Sequence, residues 1–254
     1  MALLVSLYDP IRLAEDIAVI DLLSEGRLSF IAGMGYREVE FHIANKPFAE
    51  RGAWMDHVLE TLLQAWRDEP FDYQGVTVNV TPKPYTRPHP MFLVGGMSKP
   101  AARRAARLGL PFAPPIADPV LEAYYHEQLA LHGKQGFVYT PPADFSVLFI
   151  DEDPEQAWRE LGSHFLNEAV EYSSWKTEGV KRPLEFHSDS VEALRAERRY
   201  EIITPAECLE RHREREDFFA TIHPLVGDMP LDRAWQCLRL YSEQVLGPLL
   251  KSGG

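Results

Sequence analysis

The chain has 254 residues, 45% hydrophobic and 25% charged, with a formal net charge of −12. That is ample for one large globular core, and no basic stripe rises out of the acidity to favour a nucleic-acid partner. Cys208 and Cys237, the two cysteines, are too few and too far apart for a disulfide framework or a metal-ligand set. No apolar run has membrane length, and the short apolar start Met1–Leu7 lacks a charged leader, so a cytoplasmic protein is expected.

The first element is a helix opening at Asp9-Pro10, where the aspartate caps orphan amides and proline occupies a position whose amide needs no partner. The same pair of devices recurs at Asp118-Pro119, Asp153-Pro154 and Thr204-Pro205. Thr204 and Glu207 also have capping-box spacing. After a tight Gly26-Arg27 turn, Leu28–Ala32 reads as a buried strand that runs into Gly33-Met34-Gly35. A helix follows from about Phe48 to Trp66, with Trp54, Val58 and Leu62 beside Met55, Leu59, Leu63 and Trp66 as a broad apolar stripe. Residues 71–80 alternate weakly around Gln74-Gly75, a small extended excursion, and 81–90 form a proline-rich connector.

Met91–Val94 is the next buried strand, ending in Gly95-Gly96-Met97-Ser98 before a helix at Pro100–Leu108. Arg103, Arg104 and Arg107 on that helix read as a solvated or ion-paired face. Further strands are expected at Pro111–Ile116, Ser146–Ile150 and Phe219–His223, with Ala2–Leu7 as the stub of another. Most are apolar throughout, as strands buried on both faces should be. Ser173–Arg199 is polar and poorly periodic, an insertion over one end of the sheet with the character of a lid. Strands alternating with helices predict an α/β fold with a parallel sheet and right-handed crossovers, in one domain spanning 1–254.

Three features converge on an anion. Gly33-Met34-Gly35 and Gly95-Gly96-Met97-Ser98 each end a strand where backbone can approach a ligand closely, and Ser98 begins a helix whose N-terminus favours negative charge. Arg51, early in the long helix, can reach back over the strand ends. Glycine pairs also occur at such turns for conformational reasons alone, and Arg51 has Glu50 and Asp56 as competing partners. The three signals in this order favour a phosphate. Among nine histidines, His223 is the candidate catalytic residue, because it ends a strand; a buried structural histidine is the competing reading. No nucleophile elbow, Walker loop or zinc-protease motif is present.

The stretch Asp9–Arg27 resembles the signature of the luciferase-like flavin-dependent monooxygenases. So do Phe48-Ala-Glu-Arg51, Met91–Ser98, Tyr200–Cys208 and the tail Ala234–Leu249. The resemblance implies a (β/α)8 TIM-type barrel binding reduced FMN, or the related 8-hydroxy-5-deazaflavin, at the strands' C-terminal ends. It puts the phosphate contacts on Gly33, Met34, Gly35, Tyr36, Arg51, Gly95, Gly96, Met97 and Ser98. It implies oxygen and a small organic molecule as substrates, a separate flavin reductase, and a homodimer. It also implies strands ahead of Met1, including the one carrying the family's catalytic histidine, so a truncated start is expected. The alternatives are a deazaflavin-dependent hydride-transfer enzyme and a non-catalytic flavin-binding partner subunit.

Overall fold

A computed structural model of the chain describes residues 2–142, 144–175, 186–215 and 218–252. The chain is α/β, with parallel strands alternating with helices, and its contacts divide it into two units. Among the described residues the first unit comprises 2–141, and the second 142, 144–175, 186–215 and 218–252.

The first unit runs β1 (Ala2–Leu4), α1 (Pro10–Leu23), β2 (Ser29–Gly33), α2 (Glu38–Ile43) and α3 (Arg51–Ala65). It continues through β3 (Phe71–Tyr73), β4 (Val76–Val78), β5 (Met91–Gly95), α4 (Lys99–Leu108), β6 (Phe112–Ala113) and α5 (Pro119–Leu131). Strands β1, β2, β5 and β6 form one four-stranded parallel sheet in that order, while β3 and β4 pair as a separate antiparallel hairpin. The stub at the start of the chain is thus a paired strand, and the weak alternation at 71–80 is this hairpin.

One sheet face carries the core. Phe30, Ala32, Phe92 and Val94 are buried, and the Phe30 and Phe92 rings stack at 5.2 Å. The apolar stripe of α3 meets them through Met55, Val58, Leu59 and Leu62, and Trp66 ties α3 to α1 by donating its Nε1–H to the Ala14 carbonyl at 3.0 Å. On the opposite face Ile31 and Leu93 are only half-buried. Burial on both faces, expected from the apolar runs, is therefore not met in β2 and β5. Their buried residues alternate with half-open ones, because the helical side chains cover one face.

The second unit contains β7 (Val147–Ile150), α6 (Pro154–Ser174), α7 (Val191–Glu197), β8 (Tyr200–Ile203), α8 (Pro205–Glu214) and β9 (Thr221–Ile222). It closes with α9 (Leu231–Leu240), a π-helical stretch at Tyr241–Leu246, and α10 (Gly247–Ser252). Its sheet is parallel with order β8-β7-β9, and β7 is buried along its whole length. Within the expected insertion, 173–199, the end of α6 and all of α7 are helical; residues 176–185 lie outside those described. Strand β8 begins immediately after that insertion.

All four Pro-flanked helix starts are capped as the sequence indicates. Asp9, Asp118, Asp153 and Thr204 each accept a hydrogen bond from a backbone amide of the following first turn. The second half of the capping box does not form, because Arg211 takes the Glu207 carboxylate at 2.7 Å. Two of the three α4 arginines are ion-paired: Arg104 and Arg107 lie 2.9 and 3.0 Å from Asp56, and Arg107 also reaches Glu60, while Arg103 is exposed.

Two carboxylates, one buried and one half-buried, hold neighbouring segments in place. Asp21, fully buried in α1, accepts from the Thr86 amide at 2.7 Å and from its hydroxyl at 3.2 Å, pinning the proline-rich connector that leads into β5. Replacing Asp21 by alanine leaves that amide without an acceptor. The expected cost is about 2–3 kcal/mol, read as a lower urea midpoint with an unchanged slope. In the second unit Glu201 accepts from Arg211, Arg198 and Ser146. Burial pushes its carboxyl up, but these donors outweigh burial and hold it at about 2. A folded-state pKa below the unfolded one stabilises at neutral pH, and the benefit is lost as pH falls from about 4.5 towards 2. Glu201→Gln should therefore cost about 3 kcal/mol at most at pH 7, and its deficit against the wild type should shrink steadily below about pH 4.5 in urea titrations.

Candidate functional site

The register of the first sheet decides where the glycines lie. Ala32 pairs with Val94, so Gly33 and Gly95, one residue further along two parallel strands, end side by side. Leu4 pairs with Gly33 and Ala113 with Gly95, which puts four strand ends on one rim. By alternation both glycines belong to the half-open face that carries Ile31 and Leu93. Adjacent strands are about 4.8 Å apart, so both turns lie within reach of one small anion.

Neither Gly95 nor Gly96 has room for a side chain. A Cβ on Gly95 would lie 2.8 Å from Ile31 Cγ2, and one on Gly96 would lie 2.7 Å from the Ala101 Cβ. Gly96 also has φ +148, a region that side-chain-bearing residues rarely adopt. This turn therefore brings bare backbone against the start of α4. There Ser98 caps the helix, its hydroxyl accepting from the Ala101 amide at 3.4 Å. Among the described residues the amides of Met97, Ser98 and Lys99 donate to no protein acceptor. Unsatisfied amides and the positive end of a helix form an anion-binding arrangement.

Gly35, at φ +83, turns the chain out of β2 and sits against Phe41, its added Cβ 3.1 Å from that ring. Phe41 packs edge-on to Phe48 at 5.4 Å, and the Arg51 guanidinium lies 4.2 Å over the Phe48 ring. Among the described residues no carboxylate comes within ion-pair distance of Arg51. Asp56, its competitor in the sequence, is occupied by Arg104 and Arg107. The structure thus brings the two glycine turns together and joins Arg51 to the Gly35 turn through two aromatic rings. Phe41 is not singled out by sequence reasoning, and Phe48 enters it only as the first residue of the Phe48–Arg51 stretch; the signal for the clamp is an aromatic residue three positions ahead of the arginine.

His223 belongs to the second unit. It follows β9, donates its amide to the Leu148 carbonyl at 3.1 Å, and turns its ring towards α6, where Nε2 is 3.4 Å from Glu168. Glu168 also accepts from the Tyr200 hydroxyl at 2.7 Å and the Gly227 amide at 2.8 Å. Burial pushes the Glu168 carboxyl up, but His223, Gly227 and Tyr200 together hold it below the usual range. Burial and the Glu168 charge push the Tyr200 phenol up. A cleft of about 710 Å³ opens here, walled by Tyr172, Trp175, Phe186 and Tyr200. Glu168 and Tyr200 escape sequence reasoning because a helix and a strand far apart in the chain bring them to His223. No cluster of side chains suited to a metal ion occurs among the described residues, nor any helix long and apolar enough to cross a membrane.

Comparison with known proteins places this arrangement in context. The FMNH(2)-dependent dimethylsulfone monooxygenase of Pseudomonas putida is 28% identical over 115 residues, 42% of this chain and 32% of that protein. An uncharacterized Mycobacterium tuberculosis protein, Rv0953c, is 36% identical over 93 residues, 35% of this chain and 33% of that one. The chain thus spans about a third of the length of these curated relatives. Among solved structures, the monooxygenase RslO1 of Streptomyces bottropensis superposes with a TM-score of 0.62 at 22% identity, covering 98% of this chain and 77% of the other. The oxygenating constituent of 3,6-diketocamphane monooxygenase from Pseudomonas putida, solved with FMN, gives 0.55 at 17%, covering 96% and 77%. These structures share the fold. The description "Luciferase-like monooxygenase" matches residues 1–229. The chain belongs to the luciferase-like monooxygenase family.

Proposed function

We propose that the chain is a flavin-dependent monooxygenase, holding the phosphate of reduced FMN on the rim formed by Gly33–Tyr36 and Gly95–Ser98, with Arg51 as the cationic partner. One observation carries this reading: two in-register strands end in glycine beside a helix N-terminus where, among the described residues, the amides of Met97, Ser98 and Lys99 meet no protein acceptor. A phosphate suits that place because it needs several donors at short range and brings the charge that a helix N-terminus stabilises. The guanidinium, unclaimed by any carboxylate among the described residues, supplies a planar donor edge. FMN is favoured over 8-hydroxy-5-deazaflavin because two of the similar proteins are named for FMNH2 or solved with FMN.

In this reading the flavin supplies the oxygen chemistry, and the protein binds, orients and excludes water. The substrates are oxygen and a small organic molecule, a separate reductase delivers the reduced flavin, and the enzyme works as a homodimer. His223 is the proposed catalytic residue; Glu168 lies 3.4 Å from its Nε2 while 43% of its side chain stays exposed.

The test separates the phosphate from the rest of the cofactor. Arg51→Ala should weaken FMN binding by about 1.5–3 kcal/mol, the worth of a charge-assisted hydrogen bond. Riboflavin, which lacks the phosphate, should bind the variant and the parent equally in fluorescence titrations. Equal loss for both ligands, or no loss for FMN, removes Arg51 from the site.

A further inference from the structure

Arg51 is gripped twice by a single neighbour. One guanidinium nitrogen donates to the Phe48 carbonyl at 3.0 Å, and the guanidinium plane lies over the Phe48 ring at 4.2 Å. The ring is itself braced by fully buried Phe41, which abuts Gly35 at the end of β2. A continuous line of contacts therefore runs from the glycine turn to the charged head of Arg51.

The choice of clamp has an electrostatic consequence. A carboxylate would hold a guanidinium equally well but would cancel its charge and compete with any incoming anion. An aromatic face attracts the cation through its quadrupole while leaving the charge and the outer N–H edge available. The neighbouring arginines show the other solution: Arg104 and Arg107 are held by Asp56 and Glu60, which neutralise them. A long side chain already fixed before the ligand arrives also loses less conformational freedom on binding.

We infer that Phe48 is a positioning residue, which presents Arg51 in a fixed and un-neutralised state to the phosphate of the bound cofactor. The inference rests on the phosphate-anchor reading above and adds a role for a residue that need not touch the cofactor.

The experiment compares FMN and riboflavin binding to the full chain. Phe48→Leu should lower FMN affinity by about fivefold to twentyfold, in keeping with loss of a cation–π clamp, and leave riboflavin within about twofold. Phe48→Tyr, which keeps the ring, should restore FMN affinity. In an Arg51→Ala background, Phe48→Leu should have no further effect on FMN, since the group it positions is gone. Equal losses for both flavins, or a full effect in the Arg51→Ala background, overturn the role. If Arg51→Ala itself leaves FMN selectivity intact, the anchor reading fails first and this inference falls with it. A second measurement needs no variant: the Arg51 side-chain Nε–H of the ligand-free protein should show a nanosecond order parameter above about 0.6, and a lower value contradicts a fixed guanidinium.

Discussion

The account depends on the pairing of β2 with β5. Parallel registration of Ala32 with Val94 lets two glycine-ended strands finish together, and a slip of one residue would carry Gly33 and Gly95 to opposite faces of the sheet. Stacking of Phe30 on Phe92 opposes such a slip, because those rings occupy paired positions in the buried layer. Core packing on one face thus fixes where the two glycine turns lie on the other. Asp21 acts in the same direction from further away, pinning the connector that delivers the chain into β5.

Charge is distributed with comparable economy. In a chain with a net charge of −12, most cations are expected to find a carboxylate, and Arg104 and Arg107 of α4 do so at Asp56 and Glu60. That pairing occupies Asp56, an acid on Arg51's own helix, and among the described residues no carboxylate lies within ion-pair distance of Arg51. In the second unit the donors around Glu168 and Glu201 keep half-buried carboxylates ionised, and there the charge is committed to the fold.

Much of this is legible in the sequence where local chemistry decides. Asp and Thr ahead of Pro announce the helix starts, because capping needs only residues two or three apart. The strand–helix alternation and the glycine turns are visible for the same reason, and they lead to the fold class. Strand β8 is harder to see: Tyr200–Ile203 follow a polar segment, and Tyr200, Ile202 and Ile203 are buried by partners that no local pattern reveals. The half-open face of β2 and β5 is likewise hidden, since Ile31 and Leu93 are as apolar as their buried neighbours. Only the positions of the covering helices tell the two faces apart. The aromatic brace behind Arg51 depends on Phe41 and Phe48 meeting across the α2–α3 connection, a contact set by tertiary packing.

The central claim is spatial, and a crystal structure of the chain with FMN tests it most directly. The account predicts the phosphate within hydrogen-bonding distance of the backbone between Gly95 and Lys99, with the Arg51 guanidinium against its outer oxygens. A phosphate bound elsewhere, with those amides facing only solvent, would contradict it.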